Sequence, residues 1–177
     1  MTETGRRARS ASASHPAPDA RRQGRGRGPR LVLPAALPYR DGMKRLQDFT
    51  VGDTFELVRE VDPYRPVYYA GASGDYNPIH IDPAVGRAAG YQGVILQGMC
   101  TFSWLSDTCV GYLGDPARLL RLRARFTKPV QVGDVIRIEG RCVAVEGAAV
   151  KLELSARNQR GEDVLKGAVA EARVGER

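Results

Sequence analysis

The chain has 177 residues, with 27 Lys+Arg against 20 Asp+Glu and a formal charge of +7. That length suits one domain, or one domain with a tail, and 42% hydrophobic residues are enough for a folded core. No apolar run approaches the roughly 18–20 residues of a membrane helix, which excludes a membrane-spanning helix. Residues 1–42 hold nine arginines (Arg6, Arg7, Arg9, Arg21, Arg22, Arg25, Arg27, Arg30, Arg40) and three acids (Glu3, Asp19, Asp41), a net of +6. Residues 43–177 therefore carry 18 basic and 17 acidic groups, so the basic character belongs to the tail and nucleic-acid binding by the folded part is not expected. Residues 1–30 have no aromatic residue and no large aliphatic after Met1. Such a segment buries too little surface to offset chain entropy and is expected to be disordered. Three readings of residues 1–42 stand side by side: an extension upstream of a working start at Met43, an inert tail, or a basic arm that touches nucleic acid or an acidic partner.

From Met43 the pattern is that of a folded domain, 43–177. Thr54–Val61 alternates and predicts a strand. Asp62-Pro63 is an N-cap followed by proline, which predicts a short helix to about Ala70, with Pro66 delaying its start. Gly71–Pro78 predicts a loop. Asp82-Pro83 repeats the cap and predicts a second short helix ending near Gly90. Tyr91–Gln97 is a connector or a brief strand. Gly98 to about Leu113 is mostly apolar and free of proline, which predicts one buried helix with Met99, Phe102, Leu105, Cys109 and Leu113 at helical spacing. Gly114-Asp115-Pro116 ends it. Ala117–Thr127, Asp134–Val145, Ala149–Asn158 and Asp163–Val174 then predict four strands, with turns at Gly133-Asp134, Gly147 and Arg160-Gly161. Short connections favour antiparallel neighbours. The class is α+β, with an antiparallel sheet curled around one long central helix.

The stretch from Tyr69 to Pro83 carries the chemistry. Asp75 and His80 stand five residues apart, and His80 is the only histidine besides His15. A carboxylate and an imidazole on a loop stiffened by Pro78 and freed by Gly74 can converge on one water, which is acid–base work at neutral pH. Asp-x-Asn-Pro is also a common turn, in which Asp75 or Asn77 serves local N–H groups and His80 sits at the surface; spacing alone leaves both open. Gln97-Gly98-Met99 precedes the long helix. The helix start presents free N–H groups, and Gly98 lets a ligand approach them, so an oxyanion can be held there. A tight strand-to-helix turn is the plainer account of the same glycine. Arg118, Arg121, Arg123, Arg125 and Lys128 form a basic strand face, either solvated or turned toward a phosphate-bearing or acidic partner. Met99, Phe102 and Leu105 read as core. Ser103 and Ser106 either touch substrate or bond their own backbone. Cys100, Cys109 and Cys142 form neither a disulfide framework nor a zinc pattern. They read as small core residues, and a reducing cytoplasm is the compartment expected.

Ser73-Gly74-Asp75-Tyr76-Asn77-Pro78-Ile79-His80 is followed by Asp82-Pro83, by Ala89-Gly90-Tyr91, and by Gly93-Val94-Ile95-Leu96-Gln97-Gly98-Met99. Arg125-Phe126-Thr127-Lys128-Pro129-Val130 and Gly133-Asp134 come next. In this order, over about Leu46–Val174, the series closely resembles the MaoC-like dehydratases and R-specific enoyl-CoA hydratases. The resemblance implies a hot-dog fold, paired as a homodimer or with another hot-dog subunit. It implies reversible syn hydration of a trans-2-enoyl thioester to the (R)-3-hydroxyacyl thioester, a hydro-lyase activity on an acyl-CoA or an acyl carrier protein, without metal or redox cofactor. It assigns Asp75 and His80 to the water, the Gly98 N–H to the thioester oxygen, and Asn77 to shaping the loop. Thioesterases share that fold and also activate water with a carboxylate, so hydrolysis is the alternative; a third possibility is one subunit of a heteromeric dehydratase in fatty acid or polyketide biosynthesis. The chain departs from the family pattern at Ala72, where a larger aliphatic is frequent, at Gly86, where Ala or Ser is, and at Gln97, where His is. Gln97, Phe102, Trp104 and Leu105 leave the acyl-pocket shape undetermined.

Overall fold

The structure, a computed structural model, describes residues 44–175; the expectations for residues 1–42 lie outside them. Strand β1 (Thr54–Glu60) is followed by helices α1 (Arg65–Ser73), α2 (Pro78–Ile81) and α3 (Pro83–Ala88), and by the long helix α4 (Gly98–Leu113). Strands β2 (Leu119–Phe126), β3 (Val135–Glu146), β4 (Ala149–Arg157) and β5 (Asp163–Arg173) complete the domain. The five strands form one antiparallel sheet in the order β1-β3-β4-β5-β2.

The two-residue period of the strands sorts their side chains between faces. Ile136 and Ile138 on β3, Val150 and Leu152 on β4, and Ala168 and Ala170 on β5 are buried, and Arg137 and Lys151 between them are exposed. The buried face packs against α4, through Leu105, Cys109 and Leu113. The sheet bends where ladders slip register. One such slip on β5 surrounds Gly167, whose φ of 61° is a left-handed conformation that glycine adopts without strain.

Several expectations shift. Helix α1 starts at Arg65 with Pro66 in its first turn, where the missing proline N–H has no helical partner to lose. Asp62 instead makes a turn before it, accepting from the Tyr64 N–H at 3.0 Å. Residues 71–73, expected as loop, continue α1 to its end at left-handed Gly74. Residues 78–81, not expected as an element, form α2. On α4 the buried stripe is Cys100, Thr101, Trp104, Leu105, Thr108, Cys109, Tyr112 and Leu113. Leu105, Cys109 and Leu113 were placed correctly. Met99 is 55% exposed, because it lies off the stripe that the 3.6-residue period carries through Leu105. Phe102 packs on the edge of the core.

Gly86 has a packing reason. A Cβ there would overlap the Gly93 carbonyl, so α3 lies against the 93–94 backbone only because residue 86 has no side chain. That contact fixes the approach to α4.

Candidate active site

Asp75 and His80 come together. Gly74 ends α1 and turns the chain; the Asp75 N–H donates to Ser73 Oγ at 3.2 Å, and Asp75 Oδ1 accepts the Asn77 N–H at 3.3 Å. Asn77 caps α2, its Oδ1 accepting the Ile79 N–H at 3.3 Å. Pro78 suits the first position of that helix. One turn on, His80 points its Nε2 at Asp75 Oδ2, 3.8 Å away. The His80 side chain is 12% exposed and that of Asp75 46%. Burial, then the Cys100 thiol and the Asp75 carboxylate, hold the neighbouring Tyr69 phenol above its ordinary pKa.

The other ring nitrogen settles the tautomer. His80 Nδ1 lies 2.8 Å from the Ile95 carbonyl oxygen. A carbonyl only accepts, so Nδ1 carries the hydrogen and the neutral ring keeps its lone pair on Nε2. Ile95 is itself held on both sides: its N–H donates to Ile79 O at 3.2 Å, and it bridges to Gln131. At 3.8 Å, Nε2 and Oδ2 are too far apart for a good direct hydrogen bond and well spaced to share one small oxygen.

Gly98 opens α4, and the N–H groups of Gly98 and Met99 precede the first intrahelical bonds, which the Cys100 and Thr101 N–H groups make to Gln97 O. A cleft of about 320 Å³ runs from His80 past Ile95, Leu96, Gly98 and Thr101 to Phe126 and Val130. The Phe126 ring stands over Gly98, where a Cβ would meet Phe126 Cε1 at 3.1 Å. Gln97 is only 1% exposed. Its Nε2 donates to Pro66 O at 3.0 Å and Asp75 O at 3.4 Å, tying α1 and the Asp75 loop to the start of α4.

The remaining candidates separate. Arg121, Arg123 and Arg125 are exposed on β2, but Arg118 is not part of that face: its Nη1 donates to Leu113 O at 2.7 Å and caps the end of α4. Lys128 leaves the strand and lines the cleft. Ser103 Oγ bonds back to Cys100 O at 2.7 Å, which is the backbone bond expected of a helix serine. The three cysteines are buried and unpaired. Burial pushes the Cys100 thiol up to about 11 and the Cys109 thiol up to about 12. Among the described residues no group of three His, Cys, Asp or Glu side chains is placed to hold a metal, and no helix is long and apolar enough to cross a membrane.

Ile95, Thr101 and Phe126 escaped the sequence reading as site residues. Ile95 acts through a backbone carbonyl, which every residue has. Phe126 comes from a distant strand. Thr101 had one usable signal: it stands three residues after Gly98, on the same helix face.

The family described as MaoC like domain matches residues 49–161. A probable enoyl-CoA hydratase 2 of Dictyostelium discoideum is 40% identical over 75 residues, 41% of this chain and 26% of that protein. The peroxisomal multifunctional enzyme type 2 of Mus musculus is 38% identical over 69 residues, 38% of this chain and 9% of that protein. The chain thus spans about a quarter or less of these relatives' length. Among solved structures, the unliganded R-hydratase PhaJ1 of Pseudomonas aeruginosa superposes with a TM-score of 0.68 at 25% identity, covering 75% of this chain and 86% of that one. The sheet curled on α4 is the hot-dog fold of such neighbours.

Proposed function

Since the chain belongs to the MaoC-like domain family, we propose that it catalyses reversible hydration of trans-2-enoyl thioesters to (R)-3-hydroxyacyl thioesters, with Asp75 and His80 as the catalytic pair. The observation that carries this reading is the meeting of His80 Nε2 and Asp75 Oδ2 at 3.8 Å, with Nδ1 committed to Ile95 O.

The chemistry follows from that arrangement. Water donates its hydrogens to Nε2 and to the Asp75 carboxylate, which aims an oxygen lone pair at the β-carbon. As the C–O bond forms, Nε2 accepts one proton, and the resulting imidazolium is stabilised by the carboxylate and by Ile95 O. Electrons of the alkene move toward the thioester, and the charge gathers on its oxygen beside the Gly98 N–H. The proton then passes from Nε2 to the α-carbon on the same face, so the addition is syn. Dehydration runs the same steps in reverse. Asn77 holds the Asp75 turn and α2 together, and Gln97 ties the loop's backbone to α4.

The carrier is CoA or an acyl carrier protein, and Lys128 at the cleft supplies a cation for either. Among the described residues β2 is an unpaired sheet edge, with Leu120 64% and Phe126 51% exposed. We read that edge as the seat of a second hot-dog subunit, identical or different. The buried, unpaired cysteines favour a reducing compartment such as the cytoplasm. Residues 43–177 form the catalytic unit in this reading.

The test is hydration of crotonyl-CoA and of a longer trans-2-enoyl-CoA, followed by loss of the enoyl absorbance, with chiral analysis of the product. Formation of the (R)-3-hydroxyacyl thioester supports the reading. Release of free thiol without hydroxyacyl product replaces it with hydrolysis.

A further inference from the structure

We propose that Thr101 is a substrate-binding residue: its hydroxyl donates a hydrogen bond to the thioester oxygen, beside the Gly98 N–H, and completes a two-donor oxyanion site. The inference rests on the enoyl-thioester reading and adds a residue to it.

Thr101 is 2% exposed, and its Oγ1 is buried without a hydrogen-bond partner among the described residues. It lines the same cleft as His80 and Gly98. Hydroxyls on helices normally return to a carbonyl one turn back. Two neighbours on α4 do so: Ser103 Oγ donates to Cys100 O and Thr108 Oγ1 to Trp104 O, each at 2.7 Å. For Thr101 the corresponding carbonyl is Gln97 O, already occupied by the N–H of Cys100 at 3.0 Å and of Thr101 itself at 3.4 Å. The hydroxyl keeps its hydrogen for something else.

A buried, unbonded hydroxyl lowers the stability of the folded chain. Apolar packing alone would be served better by valine, which has the same shape. What the cleft wall provides around Thr101 is largely apolar: Leu96, Phe126, Val130, Val164 and Leu165. An acceptor entering there meets little competing water, and the hydrogen bond it receives strengthens as negative charge develops. Gly98 and Thr101, three apart on one helix, present their donors from the same face within the first turn. The thioester oxygen is the group that gains charge in the proposed reaction, and the Gly98 N–H and the Thr101 hydroxyl, lining one cleft, are the donors assigned to it.

The test compares the full chain with T101V and T101S, using Asp75→Asn as the inactive reference. On crotonyl-CoA, T101V is expected to lose kcat by about 10²-fold, the scale of one oxyanion donor, with KM little changed. T101S keeps the hydroxyl and is expected to retain most of the activity. The Tm of T101V is expected to equal or exceed that of the wild type, since a methyl replaces an unbonded buried hydroxyl. A T101V enzyme with wild-type kcat overturns the inference and leaves the hydratase reading standing. Lost activity with a lowered Tm and no recovery in T101S assigns Thr101 to packing, or to a bond with the equally unpartnered Gln97 Oε1, and also overturns it. A wild-type chain that hydrates no enoyl thioester removes the hydratase reading itself, and this inference with it.

Discussion

The His80 Nδ1 hydrogen bond to the Ile95 carbonyl, 2.8 Å long, leaves Nε2 as the imidazole nitrogen that faces Asp75. It links α2 to the segment just before α4, so the imidazole and the start of that helix are positioned by one stretch of backbone. The pair is expected to act as a unit. Asp75→Asn and His80→Gln should each lower kcat by orders of magnitude, while circular dichroism and Tm stay close to wild type. Near-normal hydration by either variant would disprove the assignment.

Gly98 and Phe126 make a second test. A methyl at residue 98 would meet the Phe126 ring at 3.1 and 3.2 Å, tighter than ordinary van der Waals contact. Phe126 is half exposed and can swing aside, so Gly98→Ala should fold normally. It should also obstruct the approach to the α4 N–H groups and reduce kcat/KM by about tenfold or more, equivalent to roughly 1.4 kcal/mol of transition-state stabilisation. Adding Phe126→Ala should recover part of the loss. No recovery in the double variant would place the damage in the helix start rather than in the ring.

Asp134 predicts an acid-side loss of stability. Its side chain is 4% exposed, and it accepts from the Gln131 N–H at 2.9 Å, Arg160 Nη1 at 2.9 Å and Gln159 Nε2 at 3.0 Å. Burial alone would raise its pKa; these donors outweigh burial and hold it below the ordinary aspartate value. A depressed folded-state pKa contributes stability above the unfolded-state value, and that contribution disappears as pH falls through the folded one. Asp134→Asn should cost about 1.5–3 kcal/mol at neutral pH, the scale of hydrogen bonds to a charged group. The gap between variant and wild type in urea melts should close toward low pH. A gap constant with pH would refute the carboxylate's role.

Gly86 is a packing test at the segment that leads into Ile95. Ala at this position places a methyl into the Gly93 carbonyl, and backbone has to move. Overpacking of this kind costs about 1–3 kcal/mol, which should appear as a lower Tm. A Tm unchanged in Gly86→Ala would show that α3 can lift from the 93–94 segment freely.

The thiols should be silent in the native state. With Cys100 pushed up to about 11 and Cys109 up to about 12 by burial, little thiolate exists at neutral pH and access is poor. Iodoacetamide should label neither until the chain unfolds, as read by mass spectrometry of digests. Rapid native labelling of Cys100 would mean that the first turn of α4 opens.

Much of the architecture was already legible as pattern. The two-residue period of Val150, Leu152, Leu154 and Ala156 and the proline-free apolar run from Gly98 placed strands and helix correctly, because burial on one face leaves a periodic trace along the chain. The proximity of Asp75 to His80 and the capping by Asn77 were also legible, since local turn and cap geometry at Gly74 and Pro78 brings near neighbours together. The contacts that complete the site were not. Ile95 meets His80 through a carbonyl and Phe126 reaches Gly98 from the end of the edge strand β2. Gln97 bonds backbone atoms of α1 and of the Asp75 loop, and the free hydroxyl of Thr101 stands out only once its neighbours' bonds are known. Such relations join residues distant along the chain or act through backbone atoms that all residues share, so no local spacing encodes them; they arise when the sheet closes on α4.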